Sequence, residues 1–259
     1  MVLPFRLMVL ERVVYRVAER SFHGYVADGS QGRRAPGILV GHDGPGLNAH
    51  TKERAAMLAE LGYVALAMDL YGADEPAIEE AKTIVKALRA DPEELRRRAA
   101  GALSTLRSQP HVDAGCIAAI GFCFGGTAAL ELARSGADLA AVVGFHAGLA
   151  KLSPAQPSTI RCPVLICMGS EDPIVTADQR TAFMAEMTHA GVDWQMVLYG
   201  GTGHSFTNRW VDAASIPGFA YAPAADQRSW REMKNFLGDT LGDPARGIAD
   251  LGVTACDWK

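Results

Sequence analysis

Residues 116–133 read CIAAIGFCFGGTAALELA. The run CIAAIG (116–121) is apolar without polar alternation, the pattern of a strand covered on both faces. From about Gly125 the sequence turns to helix formers, so a strand passes into a helix through a very short turn. Cys123 sits on that turn, with Gly121 and Gly125 two residues to either side. A chain that doubles back this sharply throws the apical side chain outward and requires small residues beside it. Gly126 then lets the helix lie close to the sheet. The pattern alone leaves two readings open: a packed thiol in a glycine-rich turn, or a nucleophile where a serine usually sits.

Comparable apolar runs recur along the chain: GILVG (37–41), YVALAMDL (63–70), LAAVVGF (139–145), VLICMG (164–169) and WQMVLY (194–199). Helical patterns lie between them. Asp91, Pro92, Glu93 and Glu94 supply an N-cap, a proline at the first helical position and acids in the first turn. Leu95, Ala99, Leu103 and Leu106 then share one face. Thr176 and Gln179 form a capping-box signature ahead of Phe183, Met184 and Met187. Trp230, Met233, Leu237 and Leu241 mark a last amphipathic helix. Upstream, VVYRV (13–17) and SFHGYVADG (21–29) are more polar and alternating, which predicts a short antiparallel pair at the sheet edge. The expected fold is one α/β domain over 1–259: a mostly parallel, doubly wound sheet of about eight strands, helices on both faces and an antiparallel N-terminal edge.

A composition of 49% hydrophobic and 21% charged residues suits a soluble chain with a sizeable core. The net charge of −4 gives no reason to expect nucleic acid or an anionic membrane as partner. No segment reaches the roughly 18 apolar residues of a membrane span. The first residues are apolar only as far as Glu11 and Arg12 and lack a small-residue cleavage site, so they are read as no signal peptide. The five cysteines include no CxxC pair, which suggests reduced thiols in a cytoplasmic protein. His42, His50, His111 and His189 lack metal-ligand spacing, and no metal is expected.

In open α/β sheets, reactive groups gather at the carboxyl ends of strands. Cys123 is at one such end, where the helix amino terminus favours thiolate over thiol. Asp172 follows the run VLICMG, and His204 follows WQMVLY within the glycine-rich GGTGHSF. Nucleophile, acid and histidine thus come in the chain order of α/β-hydrolases, with His204 as proton relay and Asp172 fixing its tautomer. The same turn aims the Phe124 N–H at an oxyanion. A second donor belongs in the loop HDGPGLN (42–48), with Gly44 as the candidate; Asn48 can also cap the next helix there.

GFCFGG, GSEDPIV and GTGHSF together resemble the dienelactone hydrolase family, the cysteine branch of the α/β-hydrolases, over about Gly37 to Phe236. The resemblance implies ester or lactone hydrolysis through a thioester acyl-enzyme with no metal or organic cofactor. It also implies an acid that helps generate the thiolate, matched here by Asp43 where dienelactone-cleaving members have Glu. Those members grip a substrate carboxylate with two arginines. One position is Asn208 in this chain, followed by Arg209; the other falls in a segment offering Arg89, Arg96, Arg97 and Arg98, all on helix faces that would ordinarily be solvated. Tyr71, His146, Phe206 and Trp210 are candidate substrate-lining residues.

The expected activity is therefore hydrolysis of a small ester or lactone by a monomer or homodimer. Alternatives are an acyltransferase using the same three residues, or a non-catalytic ligand-binding or thiol-redox relative.

Overall fold

The computed structural model describes residues 9–73, 75–153 and 159–242. Eight strands form one sheet in the order β1-β2-β4-β3-β5-β6-β7-β8. They are β1 (Leu10–Val17), β2 (Arg20–Asp28), β3 (Ala35–Gly41), β4 (Val64–Met68), β5 (Val112–Phe122), β6 (Ala141–Phe145), β7 (Val164–Gly169) and β8 (Trp194–Tyr199). Neighbours from β4 to β8 run parallel, whereas β2 is antiparallel to both β1 and β4. β3, β4, β6 and β7 are buried at every residue, as their unbroken apolar runs require.

The edges differ from the reading of the sequence. The N-terminal pair is long rather than short, and β2 is integrated beside β4. Alternation explains it: Phe22, Gly24 and Val26 are buried while Ser21, His23 and Tyr25, alternating with them, are partly or fully exposed. β8, an edge strand, is only partly covered despite its apolar run.

Helices α1 (Ala49–Glu60), α2 (Ile78–Ala90), α3 (Pro92–Arg107), α4 (Phe124–Arg134), α5 (Ala177–His189) and α6 (Pro223–Leu241) pack on the sheet. Their starts follow the local signals. Asp91 accepts the Glu94 N–H, and Thr176 and Gln179 form both halves of their capping box. Each sheet face carries its own apolar layer. Leu95, Ala99, Leu103 and Leu106 of α3 join Leu130 of α4 on one; Leu58 of α1 and Met233 and Leu237 of α6 fill the other.

Cys116 is disulfide-bonded, which overturns the expectation of five reduced thiols; Cys123, Cys162 and Cys167 are free. Cys256 and the rest of the tail after Gly242 lie outside the described residues. Among the described residues, no helix is long and apolar enough to cross a membrane.

Candidate active site

β5 ends at Phe122, Cys123 follows at φ 50° and ψ −113°, and α4 begins at Phe124. A positive φ outside glycine is a strained conformation, held here by its surroundings. The Cys123 N–H donates to Phe145 O at 3.0 Å, and the N–H groups of Gly126 and Thr127 donate to Cys123 O. The flanking glycines are obligatory for a concrete reason. A Cβ on Gly121 would overlap the Gly125 backbone, and one on Gly125 would overlap Gly41 at the end of β3. This close approach brings the loop after β3 against the cysteine turn.

Asp172 follows β7 and is buried. Its Oδ1 accepts the N–H groups of Ile174 (2.8 Å) and Val175 (3.1 Å), which fixes its plane. Its Oδ2 accepts from His204 Nδ1 at 2.7 Å, so the imidazole carries its proton on Nδ1 and turns Nε2 elsewhere. Burial would lower the His204 pKa. The charge of the Cys123 sulfur, followed by the hydrogen bond to Asp172, outweighs it and raises that pKa to about 10. Nε2 lacks a fully formed hydrogen bond. The sulfur therefore acts on the imidazole chiefly through charge, without the alignment of a complete hydrogen bond. The segment after the 3-10 turn (Val211–Ala214) covers this histidine: His204 N–H donates to Gly218 O, and the Phe219 ring centroid is 4.6 Å away. Phe219 was not singled out in the sequence, where no local signal marks it.

Asp43 is buried in the loop after β3. Its Oδ1 accepts from Asn48 Nδ2 at 3.1 Å and its Oδ2 from Asn208 Nδ2 at 2.7 Å, with His50 Nδ1 at 3.6 Å. Both carboxylate oxygens are thus engaged by groups other than the sulfur. Burial works to raise the Asp43 pKa, but His50 and then Asn208 hold it below the usual carboxylate range. Asn48 serves twice, since its Oδ1 also caps α1. Behind Asp43, Arg54 donates through Nε to His50 Nε2 (3.3 Å) and through Nη2 to Asp226 Oδ1 (2.7 Å) and Thr207 O (2.6 Å). Thr207 Oγ1 lies 2.9 Å from His146 Nε2, beneath His204. His50, Arg54, Thr207 and Asp226 escaped sequence reading because their partners are remote in the chain.

The candidate lining residues separate. Tyr71 donates through Oη to Gly44 O at 2.7 Å, and Cys123 is its strongest charged neighbour. His146 and Phe206 are fully buried and pack beneath the site, their rings 5.2 Å apart. Trp210 is 43% exposed, with the Arg209 guanidinium over its ring and the His50 ring edge-on to it, centroids 6.4 Å apart. Of the arginines, Arg96 pairs with Glu93 and Glu131, Arg97 with Glu94, and Arg98 with Glu94 and Leu70 O. Arg89 alone of the four lies over the Phe124 ring, 6.0 Å from its centroid, beside Gly148 and within electrostatic range of Tyr71.

Cys123, Asp172 and His204 rise from three strand ends in the chain order proper to α/β-hydrolases, on a sheet with their antiparallel edge: the chain is an α/β-hydrolase. Residues 22–241 match the dienelactone hydrolase family, and the protein belongs to it. It is similar to the probable 2-oxo-3-(5-oxofuran-2-ylidene)propanoate lactonase of Bradyrhizobium sp., 29% identical over 79% of this chain and 84% of the relative. A carboxymethylenebutenolidase from a Pseudomonas species is 32% identical over 72% of this chain and 78% of that one. A solved dienelactone hydrolase-like promiscuous phosphotriesterase from metagenomic libraries is 40% identical, covering 90% of this chain and 98% of its own at a TM-score of 0.86. These relatives make the protein a hydrolase.

Proposed function

We propose that the protein hydrolyses small esters or lactones through a thioester acyl-enzyme on Cys123. The observation that carries this reading is His204, hydrogen-bonded to Asp172 at 2.7 Å and held in its protonated form chiefly by the charge of the Cys123 sulfur. A protonated imidazole beside a cysteine sulfur pairs the nucleophile with a ready proton donor.

In acylation, the sulfur electron pair forms a C–S bond to the substrate carbonyl carbon, and the carbonyl oxygen becomes an oxyanion. The N–H groups of Phe124 and Gly44 stabilise that charge. Collapse of the intermediate breaks the C–O bond to the leaving group, which takes the proton from His204 Nε2. In a lactone this group stays tethered to the acyl chain. Water then attacks the thioester, and His204 accepts a proton from it. Collapse of the second intermediate breaks the C–S bond and restores the sulfur–imidazolium pair. Asp172 holds the imidazole orientation throughout. Since Asp43 is committed to Asn48, Asn208 and His50, the group left to exchange a proton with the sulfur is His204. Tyr71 and Arg89 border the acyl site, and the exposed guanidinium suits a substrate with a carboxylate.

Mass spectrometry of the protein quenched during turnover of an aryl ester is expected to find one acyl group on Cys123. Cys123→Ala and His204→Ala are expected to lose turnover while remaining folded; full activity in both variants rules the reading out. A competing alcohol or amine separates hydrolysis from acyl transfer. The likeness to a promiscuous phosphotriesterase favours including an aryl phosphotriester in the screen, because the same sulfur can attack phosphorus.

A further inference from the structure

His42 is fully buried and has no part in the chemistry above. Its Nε2 lies 3.2 Å from the Leu70 N–H, and its Nδ1 lies 2.8 Å from Asp43 O. A backbone N–H can only donate, so Nε2 is the acceptor and the ring proton is on Nδ1, donated to Asp43 O. That carbonyl belongs to the Asp43–Gly44 peptide, whose N–H is the second oxyanion donor of the reading above. The peptide is trans, so its C=O and N–H point in opposite directions.

The sheet order sets which direction is which. β4 flanks β3 on one side and β5 flanks it on the other. The His42 ring is anchored through Leu70, just past the end of β4. With Asp43 O drawn to that side, the Gly44 N–H faces the β5 side, where Cys123 stands. Close packing of Gly125 against Gly41 and His42 O brings the two loops together.

Asp43 O also accepts the Gly46 N–H at 3.1 Å, closing a four-residue turn, and a Cβ on Gly44 would meet nothing within 4 Å. Turn types of this length differ in the orientation of the central peptide, here Gly44–Pro45. The next carbonyl, Gly44 O, is held by the Tyr71 hydroxyl at 2.7 Å. The Tyr71 ring is in turn packed edge-on against His42, with centroids 4.5 Å apart.

We infer that His42 is a positioning residue for the oxyanion hole: its Nδ1–H fixes the Asp43–Gly44 peptide so that the Gly44 N–H faces the acyl site, and Tyr71 locks the peptide that follows. The inference rests on the acyl-enzyme reading, and its test separates the two. Iodoacetamide alkylates a thiolate without forming a carbonyl oxyanion, so it reports on Cys123 and His204 but not on the hole. Alkylation that leaves wild-type ester turnover intact overturns Cys123 as the nucleophile, before any variant is made.

The variants then test His42. An asparagine amide nitrogen reaches the place of imidazole Nδ1, whereas that of glutamine reaches the place of Nε2. His42→Gln is expected to lower kcat by about tenfold or more, short of the roughly 10²–10³ for outright loss of an oxyanion donor. KM and the Cys123 alkylation rate should be unchanged, and His42→Asn should retain clearly more activity. Tyr71→Phe, which deletes one hydroxyl and keeps the packing, should show the same split in milder form. Equal activity of the Asn and Gln variants, or alkylation falling in step with kcat, overturns the inference. So does a Tyr71→Phe enzyme with wild-type kcat.

Discussion

Asn208 Nδ2 donates to Asp43 Oδ2 at 2.7 Å across 165 positions of sequence, joining the loop after β3 to the loop that carries His204. The resemblance to the family had made these two positions separate departures, an Asp where relatives have Glu and an Asn where they have Arg. In the structure they meet. The shorter acid is held by the amide that stands in the arginine's place, and the two halves of the candidate site are tied together as a result.

The bond is charge-assisted and buried, so Asn208→Ala is expected to destabilise the protein by about 2 kcal/mol in urea denaturation at neutral pH. In an Asp43→Asn background the same change should cost less, with a coupling of about 1 kcal/mol. Against the effect of burial, the Asp43 pKa is lowered on folding from its ordinary value of 3.8 by His50 and Asn208. Its contribution is therefore present above pH 3.8 and lost as pH falls below that toward the folded value. The difference between wild type and Asp43→Asn should shrink over that acid range. Strict additivity of the two substitutions would refute the direct link.

His204 carries the opposite sign. Its pKa rises from 6.5 to about 10 on folding, so its contribution is full below pH 6.5 and is lost as pH rises through about 10. Denaturation midpoints should decline across that window. Cys123→Ala removes the leading charge behind the rise, so its midpoints should decline less steeply. A parallel pH dependence in the two proteins would separate His204 from the sulfur.

What the sequence displayed and what it hid divide by distance along the chain. Cys123, Asp172 and His204 are each marked locally, by an apolar run ending in a turn, and their order carried the rest. The caps at Asp91 and Thr176 were equally local. The Asp43–Asn208 bond, the Arg54–Asp226 pair and the roles of His42 and His50 depend on which strands become neighbours. No short pattern records that. The disulfide at Cys116 was hidden for a related reason, since cysteine spacing alone does not reveal pairing.

The cysteine turn should be intolerant of a single methyl group. A Cβ on Gly125 would overlap backbone atoms at the end of β3, and neither the sheet nor the helix can retreat without breaking its hydrogen bonds. Gly125→Ala is expected to lose about 3 kcal/mol or fail to fold. Gly238 in α6 is the control, because a Cβ there meets nothing within 4 Å. Gly238→Ala should stabilise by about 0.5–1 kcal/mol through helix propensity. Thermal denaturation of both variants checks the contrast; comparable effects at the two sites would mean that the close approach is not what Gly125 provides.

Arg89 tests the substrate class. Its guanidinium lies over the Phe124 ring at the mouth of the cysteine turn and forms no ion pair with a described carboxylate, unlike Arg96, Arg97 and Arg98. Arg89→Met keeps an unbranched stem against Phe124 and removes the charge. For an aryl ester bearing a free carboxylate, KM should rise about fivefold, the equivalent of about 1 kcal/mol for a solvent-exposed ion pair. The wild-type KM for that ester should also climb with added salt, while the variant's should not. A neutral ester of the same shape should react alike with both enzymes, because packing over Phe124 is preserved. Equal losses on the two esters would make Arg89 a packing residue and remove the reason to favour anionic substrates.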